Sequence, residues 1–543
     1  MASAPSPPTS QKQRTLPLLS RDEVASRIIQ GQQLIVLHST VLNVSSWSAF
    51  HPGGALALLH FVGRDASGEI EAYHSMGTLA RMDKFKVGRV EVDDKGWMPL
   101  TPPIALGLVR HPDGVKGHWA REGAVTLAES ILQRTITLDP SSAPIPATPT
   151  TGRPVPHNPE VVTITPNQLE PTLTELDREV EQKRSQAYHE LRKRIVEAGL
   201  FKPPGPLAGY GSDLIRYTFL GGGALALYFE TTGWLGQMAS ALLLGLLFQQ
   251  LAFLVHDAGH TGVTGNYWWD RVIGMTVASW VGGLSVGWWC DNHNIHHLVT
   301  NHLEHDPDIQ HIPFFAISKN FFGSLWSTYH KRIMAFDAPS RFLISAQHKL
   351  YYIVLSLARF NLYAQSYIYL LGPKPKHDSF WVYEIAGIAF YWLYYGSMLR
   401  GLPTWQMRLA YLLVSHVAAS PVHVQIVLSH FACSTDDLGP TESFPSRQLR
   451  TTMDVVCSPN IEFIHGGLHL QVTHHLFPRL PRHNLRKASL LVKQYCEEQD
   501  IVYKEHSFVE GNRQVLGVLR DVANQLDLLK KVADGEIQEK LMK

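Results

Sequence analysis

His256-Asp257-Ala258-Gly259-His260 closes a long apolar run, Asn292-His293-Asn294-Ile295-His296-His297 follows it, and Gln471-Val472-Thr473-His474-His475 comes far downstream. On a helix, residues at i, i+3 and i+4 share one face. His256 and His260 therefore point the same way. So do His293, His296 and His297, and so do Gln471, His474 and His475. Three imidazole-rich faces, each near a membrane-like segment, predict one metal site shared by distant parts of the chain. Imidazole suits iron, copper and zinc. Any one of these histidines alone would read as a buried ring hydrogen-bonded inside a helix bundle.

The apolar runs around these patterns set the topology. A spanning helix needs about 20 apolar residues. Tyr217–Glu230 and Trp234–Val255 predict a hairpin of two spans. Val272–Trp289 is apolar but Gly-rich and separates the first two histidine patterns. If both patterns serve one site they lie on one membrane side, so this segment is expected to lie in the interface or re-enter. Leu350–Leu371, Phe380–Met398 and Met407–Leu428 follow. Three crossings would put the third pattern on the wrong side. Leu350–Leu371 carries Arg359, Asn361 and Gln365 near its middle, and an arginine at mid-bilayer costs roughly 2.5–3.5 kcal/mol on insertion scales. That run is therefore expected to be interfacial. Four spans remain, with every histidine pattern on the cytosolic face. Lys374 and Lys376 fit a cytosolic loop.

Composition excludes little beyond nucleic acid. Lys+Arg and Asp+Glu nearly balance, at 48 and 47, and no basic stripe appears. Cys290, Cys433, Cys457 and Cys496 are too scattered for a CxxC pair or a disulfide framework. They fit a reducing, cytosol-facing location. Met1 to Arg14 is rich in Pro and Ser and has no apolar core, so no secretory signal is visible. Ser20-Arg21-Asp22-Glu23 is a capping box ahead of a short helix. Gln33–Val44 predicts short strands about a turn at His38-Ser39.

His51-Pro52-Gly53-Gly54, Gly63, Asp65-Ala66 and His74-Ser75 come next, with the two histidines 23 positions apart. This stretch resembles cytochrome b5. The resemblance implies that His51 and His74 are the axial ligands of a heme b that passes single electrons. His60 is too close to His51 to be the second ligand. One departure is Leu42-Asn43-Val44, where that family more often has an aromatic residue first. Beyond it, the proline-dense run Asp139–Pro159 cannot bury enough surface to fold. It predicts an extended linker that lets the heme domain swing as a tethered module, with the linker raising its effective concentration at the site.

The histidine patterns, read in order as HxxxH, HxxHH and QxxHH behind a cytochrome b5-like module, resemble the membrane fatty-acyl and sphingolipid desaturases in their cytochrome b5-fused front-end branch. Glutamine at the start of the third pattern is usual in that branch. The resemblance implies an O2-activating di-iron centre whose ligands are His256, His260, His293, His296, His297, His474 and His475. It adds an extra histidine after the last span, best matched by His430 rather than His423, with Gln471 as ligand or support. Asp257, Asp306 and Asp308 are candidates to orient the ligands. His302, His305, His311, His330, His465, His469 and His483 read as hydrogen-bonding or surface residues. The chain chemistry agrees. Removing hydrogen from an unactivated methylene has no acid–base route and needs an oxidant made from O2. Each turnover then consumes two electrons, delivered from NADH through an NADH–cytochrome b5 reductase, and the substrate chain lies in an apolar tunnel below the metals.

Trp289-Cys290-Asp291-Asn292-His293 through Asp308-Ile309-Gln310, and Phe463-Ile464-His465-Gly466-Gly467 through Arg482-His483-Asn484-Leu485, resemble fungal sphingolipid delta-8 desaturases. Val472-Thr473 departs from the Ile-Glu common in polyunsaturated fatty-acid enzymes. The resemblance implies ceramide as substrate, at the endoplasmic-reticulum membrane. The alternatives are a delta-6 or delta-5 acyl desaturase, a lipid hydroxylase, and an electron carrier with an inactive anchor. A carboxylate-bridged di-iron bundle needs paired Glu-x-x-His helices, and only Glu462–His465 matches in the membrane body. The expected architecture is multi-domain. It has a disordered tail (1–17), an α+β cytochrome b5-like heme domain (18–95), a Pro-rich linker (96–168), and an all-α membrane desaturase bundle (169–543). The bundle has about four transmembrane helices, interfacial helices and a cytosolic C-terminal tail.

Overall fold

The computed structural model describes residues 16–110, 119–121, 161–172 and 174–542. The N-terminal unit opens with α1 (Arg21–Ile29), whose first turn is closed by the Ser20 hydroxyl accepting from the Glu23 N–H at 3.1 Å. β1 (Leu34–Leu37) and β2 (Thr40–Asn43) form the expected antiparallel hairpin, and β3 (Lys86–Arg89) adds to β2. Three short helices, α2 (Ala55–Leu59), α3 (Ser67–Tyr73) and α4 (Met76–Arg81), lie between β2 and β3.

Part of the stretch expected as a linker over 96–168 is instead built into this unit. Trp97, Leu100, Ile104, Leu108, Trp119, Ile164 and Leu169 are buried in one core with Val24, Ile28, Leu34 and Val41. The Trp97 indole donates to the Gly63 carbonyl at 3.0 Å and the Trp119 indole to the Ile28 carbonyl at 2.6 Å. β4 (Leu108–Arg110), β5 (Trp119–Arg121) and β6 (Val161–Val162) form a second antiparallel sheet. The physical cause is the pair of tryptophans. Each buries a large apolar area and finds a partner for its N–H, which the neighbouring prolines do not prevent. The run Asp139–Pro159 and the tail up to residue 15 lie outside the described residues.

The C-terminal unit is helical. α5 (Arg178–Glu197) buries Tyr188, Leu191 and Ile195 and turns its charged face outward. α6 (Pro206–Glu230) and α7 (Trp234–Gly259) pack as a hairpin. α8 (Tyr267–Met275) runs into a wider turn, and the chain then bends by 117° into α9 (Val286–Leu298). This bent pair is a broken span or a re-entrant loop; the expectation for the Gly-rich Val272–Trp289 segment is the second, or a place in the interface. Next come α10 (Ala338–Ser345), α11 (Gln347–Ser356) and α12 (Ala358–Leu371). α13 (Ser379–Gly401), α14 (Trp405–Val417) and α15 (Pro421–Leu428) follow. The last helices are α16 (Phe444–Thr451), α17 (Glu462–His465), α18 (Gln471–Leu476), α19 (Arg482–Glu498) and α20 (Phe508–Met542).

Among the described residues, two segments are both long and apolar enough to cross a membrane, Trp234–Gly259 and Trp405–Leu428, or three with the bent pair. Of the four spans expected, the other two fall on α6 and α13. These have the length, 25 and 23 residues, but carry Asp213, Arg216 and Glu230 in one case and Glu384 and Arg400 in the other. The Leu350–Leu371 run is broken at Leu357 between α11 and α12. Arg359 does not face lipid there. It is buried, donating to the Gly282 carbonyl at 2.8 Å and the Tyr363 hydroxyl at 3.0 Å, with its guanidinium over the Phe248 ring at 4.4 Å. α20 buries Val515, Leu519, Val522 and Leu526 against Tyr351, Leu355, Leu428 and Phe431.

The two units are not apart. Ile295, Leu298 and Val299 of the α9 region share a buried cluster with Ile35, Leu42, Phe61 and Ala66 of the N-terminal unit. The module expected to swing on a linker is seated on the helix that carries the second histidine pattern.

Candidate metal centre

α7 delivers His256 and His260 at its C-terminal end, with rings 4.8 Å apart. α9 delivers His293, His296 and His297, and α18 delivers Gln471, His474 and His475. His430 lies just beyond α15. These remote segments converge into two sets. His256, His260, His293 and His474 form one, and His296, His430 and His475 form the other. Within each set the ring nitrogens lie within 4.8 Å of one another. His297 stands between them: its Nε2 is 3.0 Å from His293 Nε2 and 3.2 Å from His474 Nε2, and its ring stacks on His475 at 4.0 Å. Gln471 is buried in the first turn of α18. His423, the rival to His430, is buried one turn into α15 and belongs to neither set.

The donor chemistry fits cations. Buried polar atoms almost always find a partner, yet His256 Nε2, His260 Nε2, His297 Nδ1 and His475 Nε2 are buried with none. Two neutral imidazoles share one hydrogen bond only if one ring presents its N–H and the other its lone pair. Three Nε2 atoms converging at 3.0 and 3.2 Å make that arrangement awkward; a metal satisfies all of them at once. Burial pushes His430, His474 and His475 below the usual imidazole range. They are therefore neutral near pH 7, as a ligand must be.

Supporting groups fix the rings from behind. His296 Nδ1 donates to Asp306 at 2.8 Å, and His293 Nδ1 faces Asp308 at 3.3 Å. His430 Nδ1 faces the Thr451 carbonyl at 3.2 Å, and His475 Nδ1 the Gln448 Oε1 at 3.0 Å. In each case the ring's other nitrogen is left for the cluster. Such partners are worth roughly 10–100-fold in metal affinity. Asp306 is fully buried and also accepts the N–H groups of Asn301 and Asp308, which ties the loop after α9 to the ligand it orients.

Asp257 departs from the supporting role expected of it. Its carboxylate pairs with Arg482 at 3.1 Å and accepts the Tyr210 hydroxyl at 2.9 Å, while His256 Nδ1 stays 3.8 Å away. Arg482 lies 225 positions downstream, so sequence spacing gave no sign of the pair. Gln448, Thr300 and Asp454 were also missed. Gln448 donates to the His297 carbonyl at 2.8 Å. Asp454 accepts the Val472 N–H at 2.8 Å and the Tyr503 hydroxyl, anchoring the start of α18; burial pushes its carboxyl up to about 7. Only Thr300, three residues past the second pattern, lay where a search might have looked.

Most of the remaining histidines make contacts of their own, but His469 departs from the expectation, because it is buried and both its ring nitrogens lack a hydrogen-bond partner among the described residues. His302 and His305 stack at 4.0 Å, and His302 faces Asp437 at 3.5 Å. His311 packs near Phe431 and His330 beside Tyr329. His465 takes a hydrogen bond from Gln425, His469 faces Glu462 at 3.6 Å, and His483 packs on Tyr210. A narrow recess reaches the centre, lined by His256, His260 and His474 with Gly466, Gly467 and Arg482.

In the N-terminal unit the His51 and His74 rings face one another at 6.2 Å, too far for contact but with room for a metal between them. Each Nδ1 is taken by a backbone carbonyl, of Gly54 at 3.0 Å and of Ile70 at 2.8 Å. The Nε2 atoms are thus what remains for an axial metal. Burial lowers both rings, His74 to about 4. A Cβ at Gly53 would lie 3.1 Å from the His51 ring, so glycine leaves that ring free. His60 plays no part here and packs on His305 at 4.8 Å.

Comparison with known proteins agrees with this division. Residues 232–507 match the fatty acid desaturase family, and residues 20–91 match the cytochrome b5-like heme/steroid binding domain. The chain is 42% identical over 533 residues to a Delta 8-(E)-sphingolipid desaturase of Emericella nidulans, covering 95% of this chain and 96% of the relative. It is 40% identical over 556 residues to a protein of the same name from Kluyveromyces lactis, covering 95% and 94%. A Delta(8)-fatty-acid desaturase 1 of Arabidopsis thaliana is 35% identical over 66% of this chain and 79% of its own length.

Proposed function

We propose a reaction from one premise: the chain belongs to the fatty acid desaturase family, and it is a membrane-bound oxidoreductase with a cytochrome b5-like domain fused ahead of its desaturase domain. It introduces an E double bond at carbon 8 of the sphingoid base of a ceramide. For each –CH2–CH2– converted to –CH=CH–, one O2, two electrons and two protons are consumed and two waters form. The observation that carries the reaction is the meeting of two imidazole sets, with His297 between them. The observation that carries the substrate is similarity over nearly the whole chain to proteins named for that activity.

His256, His260, His293 and His474 would hold one iron and His296, His430 and His475 a second, with His297 between and Gln471 as ligand or support. Iron held there supplies the O2-derived oxidant that an unactivated methylene requires. The protein's own work is positioning. Asp306, Asp308, Gln448 and the Thr451 carbonyl hold the rings in one tautomer, so their free nitrogens stay aimed at the cluster. The chain keeps the centre almost free of carboxylate ligands, so charge on the metals is not neutralised by the protein. His51 and His74 would hold heme b, whose chemistry there would be one-electron transfer, with an NADH-dependent cytochrome b5 reductase as the partner that would supply the electrons. Four helices, α6, α7, α13 and α14–α15, would span the endoplasmic-reticulum membrane, with both metal sites on the cytosolic side.

Lipid mass spectrometry of a host that lacks sphingoid-base desaturation tests the substrate. Expression of the chain is expected to yield ceramides two hydrogens lighter, with the new double bond at carbon 8. New polyunsaturated acyl chains beside an unchanged sphingoid base would overturn this in favour of an acyl desaturase. An added oxygen would identify a hydroxylase.

A further inference from the structure

We propose that the heme domain works from a fixed seat on the desaturase domain, and that Gly68 is the residue that makes the seat possible. This rests on the reading of the heme domain as electron donor. Gly68 lies inside α3 and is buried. Its backbone is not in the left-handed region, so its own conformation does not call for glycine. A Cβ there would lie 2.8 Å from the Phe444 Cβ, at the start of α16. No ordinary side chain fits in that gap. The glycine is explained by the partner surface, not by its own helix, where a larger residue would be the better helix former.

The rest of α3 is held in the same place. Glu71 takes His189 Nδ1 of α5 at 2.7 Å, and its backbone carbonyl accepts Arg192 Nε at 3.1 Å. His38, from the β1–β2 turn, reaches the other oxygen of Glu71 at 3.0 Å. Two residues further, Tyr73 stands edge-on to His297 at 6.3 Å, with its hydroxyl buried. Tyr73 directly precedes the heme ligand His74, and His297 stands between the two imidazole sets. One short helix therefore touches both redox sites. A swinging domain has no need for a contact this close, because a transient encounter tolerates an ordinary side chain at its rim.

The test uses the full-length protein in membranes, with Gly68→Leu and, separately, Glu71→Lys. Glu71→Lys alters a partly exposed helix position and sets a cation against Arg192, so it opens the seat even if the leucine disturbs folding. Three readouts are taken: the heme absorption spectrum with its reduction by NADH and reductase, amide exchange over residues 67–73 and 444–451, and lipid products. In the unsubstituted protein both segments are expected to be protected. In the variants exchange there rises roughly tenfold or more, the heme spectrum and its reduction stay unchanged, and desaturation falls at least about tenfold. Unprotected segments in the unsubstituted protein would overturn the proposal, as would variants that leave the seat closed. So would variants with an opened seat and full desaturation. A His51→Ala control separates the two ideas, because product from a heme-free protein removes the donor reading whatever the exchange data say.

Discussion

His474→Ala is expected to leave the protein folded and membrane-inserted while double-bond formation falls more than about a hundredfold, beyond the roughly 10–100-fold in metal affinity or activity attached to loss of a supporting partner. His474 belongs to the first imidazole set and its ring lies 4.5 Å from His256 and 4.7 Å from His260. Its Nε2 also meets His297, the ring between the sets. Removing it takes away a donor to one metal and a neighbour of the bridge to the other. The fold should survive. α18 is anchored through Val472 and Asp454 and through the buried Leu476 and Phe477, none of which the substitution touches. His296→Ala, from the second set, should give the same loss. Retained desaturation in either variant would contradict the ligand assignment, and loss of the protein from the membrane would mean that folding had been measured instead.

His51→Ala should abolish electron delivery and leave the imidazole sets loaded. His51 contributes one of the two facing rings of the proposed heme pocket, and among the described residues it is the histidine whose ring faces His74 across that gap. His60 cannot substitute, because it is buried against His305. The expected result is loss of heme absorbance, unchanged non-heme iron, and product at background. Turnover by the heme-free protein would contradict the fused-donor reading and leave the metal centre standing.

The histidine patterns were legible because their spacing is a local property. An i, i+4 pair shares a helix face wherever the helix ends up, so HxxxH, HxxHH and QxxHH declared their faces before any packing was known. The expectation that the segment between α7 and α9 is no simple straight span came from a related constraint, that two faces serving one site cannot be separated by a full crossing. Long-range pairing was not legible. Nothing in the neighbourhood of Asp257 announces Arg482, and nothing near His475 announces Gln448. The folded part of the expected linker was hidden by composition. Prolines dominate the stretch, yet Trp97 and Trp119 alone account for two buried indoles with satisfied N–H groups. The spans were half legible. α7 and α14–α15 are long and apolar enough to cross a membrane, whereas α6 and α13 mix length with charge, and buried partners take some of that charge. Glu384, for instance, accepts the Gly287 N–H at 2.8 Å and the Ser285 hydroxyl at 2.9 Å.

The seat of the heme domain lay beyond sequence reading altogether. Gly68 looks like any helix glycine until Phe444, 376 positions away, is placed against it. Its meaning is a distance, and distances between remote segments appear only in the fold.

Iron counted against heme in the purified full-length protein tests the central claim most directly. The account predicts three irons per chain, one extractable with the heme and two that remain after heme extraction. Iron equal to heme, with none left over, would contradict it.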